Sequence, residues 1–444
     1  MKVIIIGGIA AGMSAAAKLR RVNSEAEVVI YEKSPYISFG ACGLPYYVGG
    51  FFENHDQMFA RTPEAATKSG IQVQVEHEVL EVDTQSRRVT VKNLKDDKVF
   101  IDQYDKLMIA TGASAIIPPI KNLELGHVHT LRSMEDGHIL REKMKDSSIQ
   151  KVGIIGAGFI GLEVVEAAKK LGKEVSVFQL EDRVLKEVFD KEITDIIEAE
   201  LKEAGVTLYL NSKVVGLKGD TTVKTVVTEH EEVEVDLVVL ATGVRPNTAF
   251  LKETGIEMLP NGAIVIDHFG QTSVPEIYAA GDCATVPHLL KDASSYIPLA
   301  TSANKLGRIV GENLGGASSR FEGTLGSSCL KALHMEAGRT GLSEQEAIKM
   351  GLDYKTVWIT DKNHTDYYPG QEDLSVKLIY DAKTKVILGG QVIGKTDAVQ
   401  RTNVIAAAIY AKMTTNQLGM LDLCYAPPFS RTWDALNIAG NVAK

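Results

Sequence analysis

The chain has 444 residues, 45% hydrophobic, 24% charged and 6% aromatic, with mean hydropathy near zero. That length and balance fit a globular protein of about three domains and exclude both bulk disorder and one small fold. Lys and Arg number 48 against 57 Asp and Glu, a net charge of −9, so no global basic field recruits nucleic acid. Four cysteines, Cys42, Cys283, Cys329 and Cys424, are too sparse for a disulfide scaffold or a CxxC metal site, which points to a reducing cytoplasm and no metal.

Residues 1–17, MKVIIIGGIAAGMSAAA, imitate a secretory leader. The run nevertheless divides into a β-branched strand (Val3–Ile6), a glycine turn and a small-residue helix, and the strand signal VVIYE follows. That is β-α-β grammar. No window approaches the roughly 20 apolar residues that cross a bilayer, so the expected location is cytoplasmic, without membrane contact. The turn reads Gly7-Gly8-Ile9-Ala10-Ala11-Gly12, a GxGxxG pattern with Ile9 at the middle glycine. Glu32, with Lys33 beside it, closes the second strand where a ribose needs an acceptor. A dinucleotide, the ADP half of FAD, is expected there on Gly7, Gly8, Ala10, Gly12, Glu32 and Lys33. Ser14, Lys18 and Arg21 recur at i, i+4 and i+7 along the helix, which is a solvated stripe or an anion-binding face.

Next comes SPYISFGACGLPYYVGG, where Gly40 and Gly43 leave the Cys42 sulfur accessible. A lone cysteine is about as often an inert apolar residue. Taken as one helix turn beyond the second strand, however, this one would stand beside the flavin ring of an extended FAD. KLMIATGA closes the first unit with a turn at Thr111 and Gly112, and the Pro pair of IIPPIKN reads as a domain crossing. The grammar repeats from residue 152: strand, then Gly156-Ala157-Gly158-Phe159-Ile160-Gly161, a complete GxGxxG, then helix and strand. Gly156 makes the turn, Gly158 admits the pyrophosphate, Gly161 packs helix on strand, and Ile160 lies within the loop. Gln179 stands where an acid would bind the ribose, with Glu181 and Arg183 nearby, so NADPH as well as NADH is expected. DLVVLATGVRPN closes this unit at Gly243, and TSVPEIYAAGDCA follows, ending in Gly281-Asp282 and leading to a helical stretch over 298–314. From about residue 325, strand patterns precede a helix over 398–412 and indicate an α+β unit. The expected division is 1–115 with 248–322 for FAD, 116–247 for NAD(P)H, and 323–444 for the last unit.

Two dinucleotide units, the ATG turns at Thr111 and Thr242, the 272–282 segment and the α+β tail resemble the flavin-dependent pyridine nucleotide-disulfide oxidoreductases over essentially the whole chain. SFxxCGLPYY and YAPPFSRTWDALNIAG look closest to the coenzyme A disulfide reductase branch. The resemblance implies an α/β fold of two Rossmann-like domains, for FAD and NAD(P), plus a C-terminal α+β dimerisation domain pairing two subunits. It implies that Asp282 meets the ribityl or phosphate side of FAD. Relatives with two redox cysteines carry the second five residues on, where this chain has Tyr47, and their C-terminal His-Glu pair is missing after His364. Single-cysteine NADH oxidases and peroxidases carry a histidine where Ala10 stands.

The branch therefore implies a Cys42–S–S–CoA mixed disulfide, with coenzyme A disulfide as substrate. Tyr425, reaching the flavin face from the partner subunit, replaces the missing acid, with Tyr367 or Tyr368 in support. Ser14, Lys18 and Arg21 then hold the coenzyme A phosphates, and Ser38, Asn304 and Arg431 join the substrate site. The rival readings are an NADH oxidase, a persulfide or polysulfide reductase, and a non-enzymatic flavoprotein redox sensor.

Overall fold

Two apolar β-branched runs become the central strands of two separate parallel sheets, because a strand covered on both faces needs side chains that tolerate burial on both. The computed structural model describes residues 1–291 and 294–444. They form two compact units, Met1–Leu44 with Phe52–Ile116 and Val244–Thr324, and Pro45–Phe51 with Ile117–Gly243 and Leu325–Lys444.

In the first unit the sheet runs Ile277–Ala279, Lys106–Ile109, Lys2–Ile6, Glu27–Glu32, Gln72–Val75, all parallel. Val3, Ile4, Ile5, Ile30 and Leu107 at its centre are buried completely or nearly so. The Ala10–Val22 helix lies against the Ala300–Leu314 helix. Small residues set the approach: a Cβ on Gly307 would lie 2.5 Å from the Ala11 carbonyl oxygen, and one on Gly311 2.4 Å from that of Ala15.

The second unit repeats the design in the order Val206–Tyr209, Glu174–Phe178, Lys151–Ile155, Leu237–Leu240, Val128–His129, again parallel. It also holds an antiparallel sheet, Ser328–Ala332, Met335–Gly341, Ile387–Gly394, Asp373–Asp381, Tyr354–Lys362, packed against the Ala398–Tyr410 helix. A buried ionic node ties these two parts together. The Lys377 ammonium, on a side chain 1% exposed, bridges Asp190 at 3.4 Å, Glu192 at 2.9 Å and Glu344 at 2.6 Å. Asp190 also accepts from the Gln391 amide at 2.7 Å. The architecture is therefore α/β with two Rossmann-like folds and a C-terminal α+β part. Among the described residues, no helix is long and apolar enough to cross a membrane.

Candidate functional site

The two glycine turns share their first and last glycines and the close contacts those make. Gly7 (φ +104°) and Gly156 (φ +106°) adopt backbone that an L side chain resists. A Cβ on either would stand 2.2 Å from the Ala110 oxygen or 2.4 Å from that of Ala241. Their N–H groups donate to Tyr31 and Phe178 respectively, both at 2.8 Å. A Cβ on Gly12 or Gly161 would meet the oxygen of Gly7 or Gly156 at 1.9 and 2.1 Å, so each helix starts hard against its own turn. Neither helix carries a side-chain N-cap, which leaves first-turn N–H donors for an anion. Around Gly158 a Cβ would meet nothing within 4 Å. That is an open cradle of the kind a pyrophosphate needs. Ile9 holds the matching place in the first turn.

The acceptors at the strand ends correspond too. Glu32 takes the Gly8 N–H at 2.7 Å and the Ser34 N–H at 2.8 Å. Gln179 takes the Ala157 N–H at 2.9 Å through its oxygen. What Gln179 then has left is its amide N–H donor end, whereas a carboxylate offers only acceptors. Lys186 binds Glu181 at 2.7 Å and Asp182 at 3.2 Å, and Arg183 stands 3.5 Å from Asp182. Thr111 donates to the Asn247 oxygen at 2.8 Å, which fixes the Gly112 turn (φ +65°). Asp282 follows Gly281 (φ +89°), and its carbonyl accepts from the Tyr296 hydroxyl at 3.1 Å. Ala10 and Ile160 sit in their helices' first turns, half-buried, while Lys33 and Gly243 are exposed. Both turns thus offer the backbone donors and the strand-end acceptor that a dinucleotide needs, and the second adds the open space at Gly158.

Cys42 is exposed, in a 3-10 turn over Ala41–Gly43 that runs into the Leu44–Val48 helix. The expected spacing needs correction: the thiol lies ten residues past Glu32, not one helix turn. The intervening loop is held by its backbone. Ser38 (φ +51°) donates its N–H to the Gly8 oxygen at 2.9 Å, which ties the loop to the first glycine turn. A Cβ on Gly43 would strike the Met58 sulfur at 2.8 Å. Of the other cysteines, Cys283 is buried and its thiol is pushed up to about 11 by that burial, which makes it inert.

Along the Ala10–Val22 helix, Ser14 donates to Asn304 at 2.7 Å and Lys18 pairs with Glu312 at 2.9 Å, while the exposed Arg21 bonds its own Ala17 carbonyl at 3.0 Å. The stripe therefore lies partly on the 300–314 helix and is not wholly solvated. In the second unit, Tyr367 and Tyr425 share a hydroxyl–hydroxyl bond of 3.1 Å, which holds the Tyr425 phenol above its ordinary range. Arg431 pairs with Asp361. Buried Arg401 grips Asp434 at 2.7 Å and the Asn363 carbonyl at 2.9 Å, so the loop and the tail that carry the two tyrosines share one anchor. Tyr367, Phe429 and Trp433 are 70%, 70% and 51% exposed, an aromatic surface of the kind enriched at interfaces.

Sequence reasoning passed over Glu163. It stands inside an apolar helix, two residues after Gly161, and an acid so placed is the signal that could have flagged it. Burial, reinforced by Glu166 and opposed by the Tyr46 hydroxyl at 3.5 Å, pushes its carboxyl up to about 7. The folded state thus keeps a proton that the unfolded chain gives up near 4.5. Stability should fall as pH rises from about 4.5 to 7, with the full penalty present above that window. Glu163→Gln is expected to gain about 2–3 kcal/mol at pH 8 and nothing near pH 4.5, as read by urea unfolding at both pH values.

Comparison with known proteins places the chain. The family model for pyridine nucleotide-disulphide oxidoreductases matches residues 1–305, and the model for the dimerisation domain of the same family matches 328–436. An NADH oxidase of Enterococcus faecalis is 37% identical over 445 residues, covering 100% of this chain and 99% of its own. A coenzyme A disulfide reductase of Staphylococcus aureus is 31% identical over 446 residues and covers 100% of both chains. The solved structure of an NAD-dependent persulfide reductase from A. fulgidus superposes with a TM-score of 0.95 at 35% identity, over 100% of this chain and 83% of that one. Identity alone therefore singles out no one of these three activities. The chain belongs to the pyridine nucleotide-disulphide oxidoreductases, FAD- and NAD(P)H-dependent enzymes whose dimerisation domain it also carries.

Proposed function

We propose that this oxidoreductase uses NAD(P)H to reduce coenzyme A disulfide to two coenzyme A thiols through Cys42, working as a homodimer. The observation that carries the reading is Cys42 itself. It is an exposed thiol tethered to the first glycine turn, with a tyrosine and not a second thiol five residues on. In this reading residues 1–115 and 248–322 form the FAD domain, 116–247 the NAD(P)H domain and 323–444 the dimerisation domain. Gly7, Gly8, Ala10, Gly12, Glu32, Lys33, Thr111, Gly112 and Asp282 serve FAD. Gly156, Gly158, Ile160, Gly161, Gln179 and Gly243 serve NAD(P)H, and the donor end of Gln179 suits NADH and NADPH alike.

Bound on these residues, FAD would supply the exchange between the hydride of NAD(P)H and the electron pair that disulfide reduction needs. The chain's own residues do the rest. The Cys42 thiolate attacks one sulfur of coenzyme A disulfide, forming Cys42–S–S–CoA and expelling a coenzyme A thiolate. Tyr425, protonated at neutral pH, gives that thiolate its proton, and Tyr367 passes a replacement along their shared hydrogen bond. Two electrons then break the mixed disulfide, so the Cys42 thiolate returns and the second coenzyme A leaves with a proton. The balance is NAD(P)H + H⁺ + CoA–S–S–CoA giving NAD(P)⁺ + 2 CoA–SH. Arg21 offers a bidentate contact to phosphate, while Lys18 shares its charge with Glu312. Ser14, Ser38, Asn304 and Arg431 complete the substrate contacts.

Mass spectrometry of the denatured, unreduced protein should find coenzyme A on the Cys42 peptide, and coenzyme A disulfide should outrun oxygen and coenzyme A persulfide as acceptor. Faster oxygen consumption would make the protein an NADH oxidase. Faster persulfide turnover would make it a persulfide reductase, and no turnover with any acceptor would leave a redox sensor.

A further inference from the structure

Between Cys42 and the rest of the first unit the chain makes a detour. Leu44 and Phe52 belong to the first unit, but the seven residues between them, Pro45–Phe51, belong to the second. This strap is gripped by two helices, Met134–Lys145 and Phe159–Lys170. From the first, the Arg141 guanidinium lies 4.3 Å over the Tyr47 ring and donates to the Tyr47 carbonyl, and His138 meets the Tyr47 hydroxyl at 3.2 Å. From the second, the Lys170 ammonium donates to the Gly50 carbonyl at 2.6 Å and that of Gly49 at 3.2 Å, and covers the Phe51 ring at 4.1 Å. A Cβ on Gly49 would stand 2.9 Å from the Ala167 Cα, so the strap lies flat on that helix.

A five-residue helix cannot hold its own shape, and the last carbonyls of any helix need outside donors. Here the Gly49, Phe51 and Gly50 N–H groups close the Pro45, Tyr46 and Tyr47 carbonyls, while Arg141 adds a second donor at Tyr47 and Lys170 takes the Gly49 and Gly50 carbonyls of the turn that follows. The 3-10 turn bearing Cys42 continues directly into that helix, so the thiol is carried on the same short rigid run as Tyr47. We propose that Arg141 and Lys170, by gripping the Pro45–Phe51 strap, are positioning residues for the Cys42 thiol. The inference rests on the reading that Cys42 is the redox sulfur.

The test uses the FAD-loaded protein. Arg141 is deeply buried and its loss could unfold the chain, so the probe is Lys170→Met, which keeps an apolar stem of similar length. The protein is first reduced with NAD(P)H and freed of released coenzyme A under anaerobic conditions, and Cys42 alkylation by iodoacetamide is then measured on its peptide, with the exposed Cys424 as internal reference, alongside steady-state kinetics. Lys170→Met should raise Cys42 alkylation relative to Cys424 about tenfold and lower kcat about tenfold, because a loosened thiol is easier to reach but poorly aimed. KM for NAD(P)H should hold, and Lys170→Arg should restore both values. An unchanged Cys42 to Cys424 ratio overturns the proposal, whatever happens to kcat. A raised ratio with unchanged kcat upholds the strap and removes Cys42 from the turnover, so the two failures are distinct.

Discussion

Cys42→Ser is expected to abolish disulfide turnover, lowering it by at least about 10³-fold, while the protein still binds FAD and still accepts hydride from NAD(P)H. Serine keeps the shape of the residue but cannot form a mixed disulfide, and its hydroxyl stays protonated where a thiol ionises. Because Cys42 is exposed and makes no part of either glycine turn, stability should move by no more than about 0.5 kcal/mol. Flavin bleaching by NAD(P)H under anaerobic conditions would read the retained half-reaction, and release of coenzyme A thiol would read the lost one. Cys329→Ser, a change at an exposed thiol on a strand edge, should behave as the parent protein. Retained thiol release from the Cys42 variant would sink the assignment.

Arg401→Met is expected to cost about 3–5 kcal/mol of stability, because it strands a buried carboxylate. Asp434 is buried with Arg401 and receives two of its nitrogens, Nε at 3.0 Å and a terminal nitrogen at 2.7 Å. The same carboxylate caps the Ala435–Val442 helix by accepting the Leu436 N–H at 2.9 Å. The guanidinium also holds the carbonyls of Asn363 at 2.9 Å and Phe429 at 3.3 Å, and these flank the loop of Tyr367 and the tail of Tyr425. With the anchor gone, the hydroxyl pair should separate and turnover should fall about tenfold or more. Urea unfolding and kcat measured on one preparation would check both effects. Lost stability with unaltered turnover would detach the tyrosines from the chemistry. Adding Asp434→Leu should recover part of the stability and none of the turnover, since it removes the stranded charge without rebuilding the anchor.

Much of the two glycine turns could be read from the residues in order. Gly7 and Gly12, and Gly156 and Gly161, act over a few positions, through backbone conformation and contacts within one strand-turn-helix unit. Residues so close in the chain leave a pattern that survives without knowledge of the fold. Glu32 and Gln179 reach only as far as the turns that open their own units. Cys42 stood out by its small neighbours, but its distance from the second strand was misjudged, because a loop braced by Ser38 and Met58 has no periodicity to count. The antiparallel strands His77–Asp83, Arg88–Asn93 and Val99–Gln103 also left no distinct mark.

Composition and local spacing thus settled the two Rossmann-like folds and their glycine turns, since these depend on sterics and hydrogen bonds between near neighbours. The meeting of Tyr367 with Tyr425, the anchor at Arg401, the raised carboxyl of Glu163 and the grip of Lys170 on Gly49 and Gly50 join residues far apart in the chain. Burial and long-range hydrogen bonding create those properties. Both are consequences of how the helices and sheets pack, so only the folded molecule could decide them.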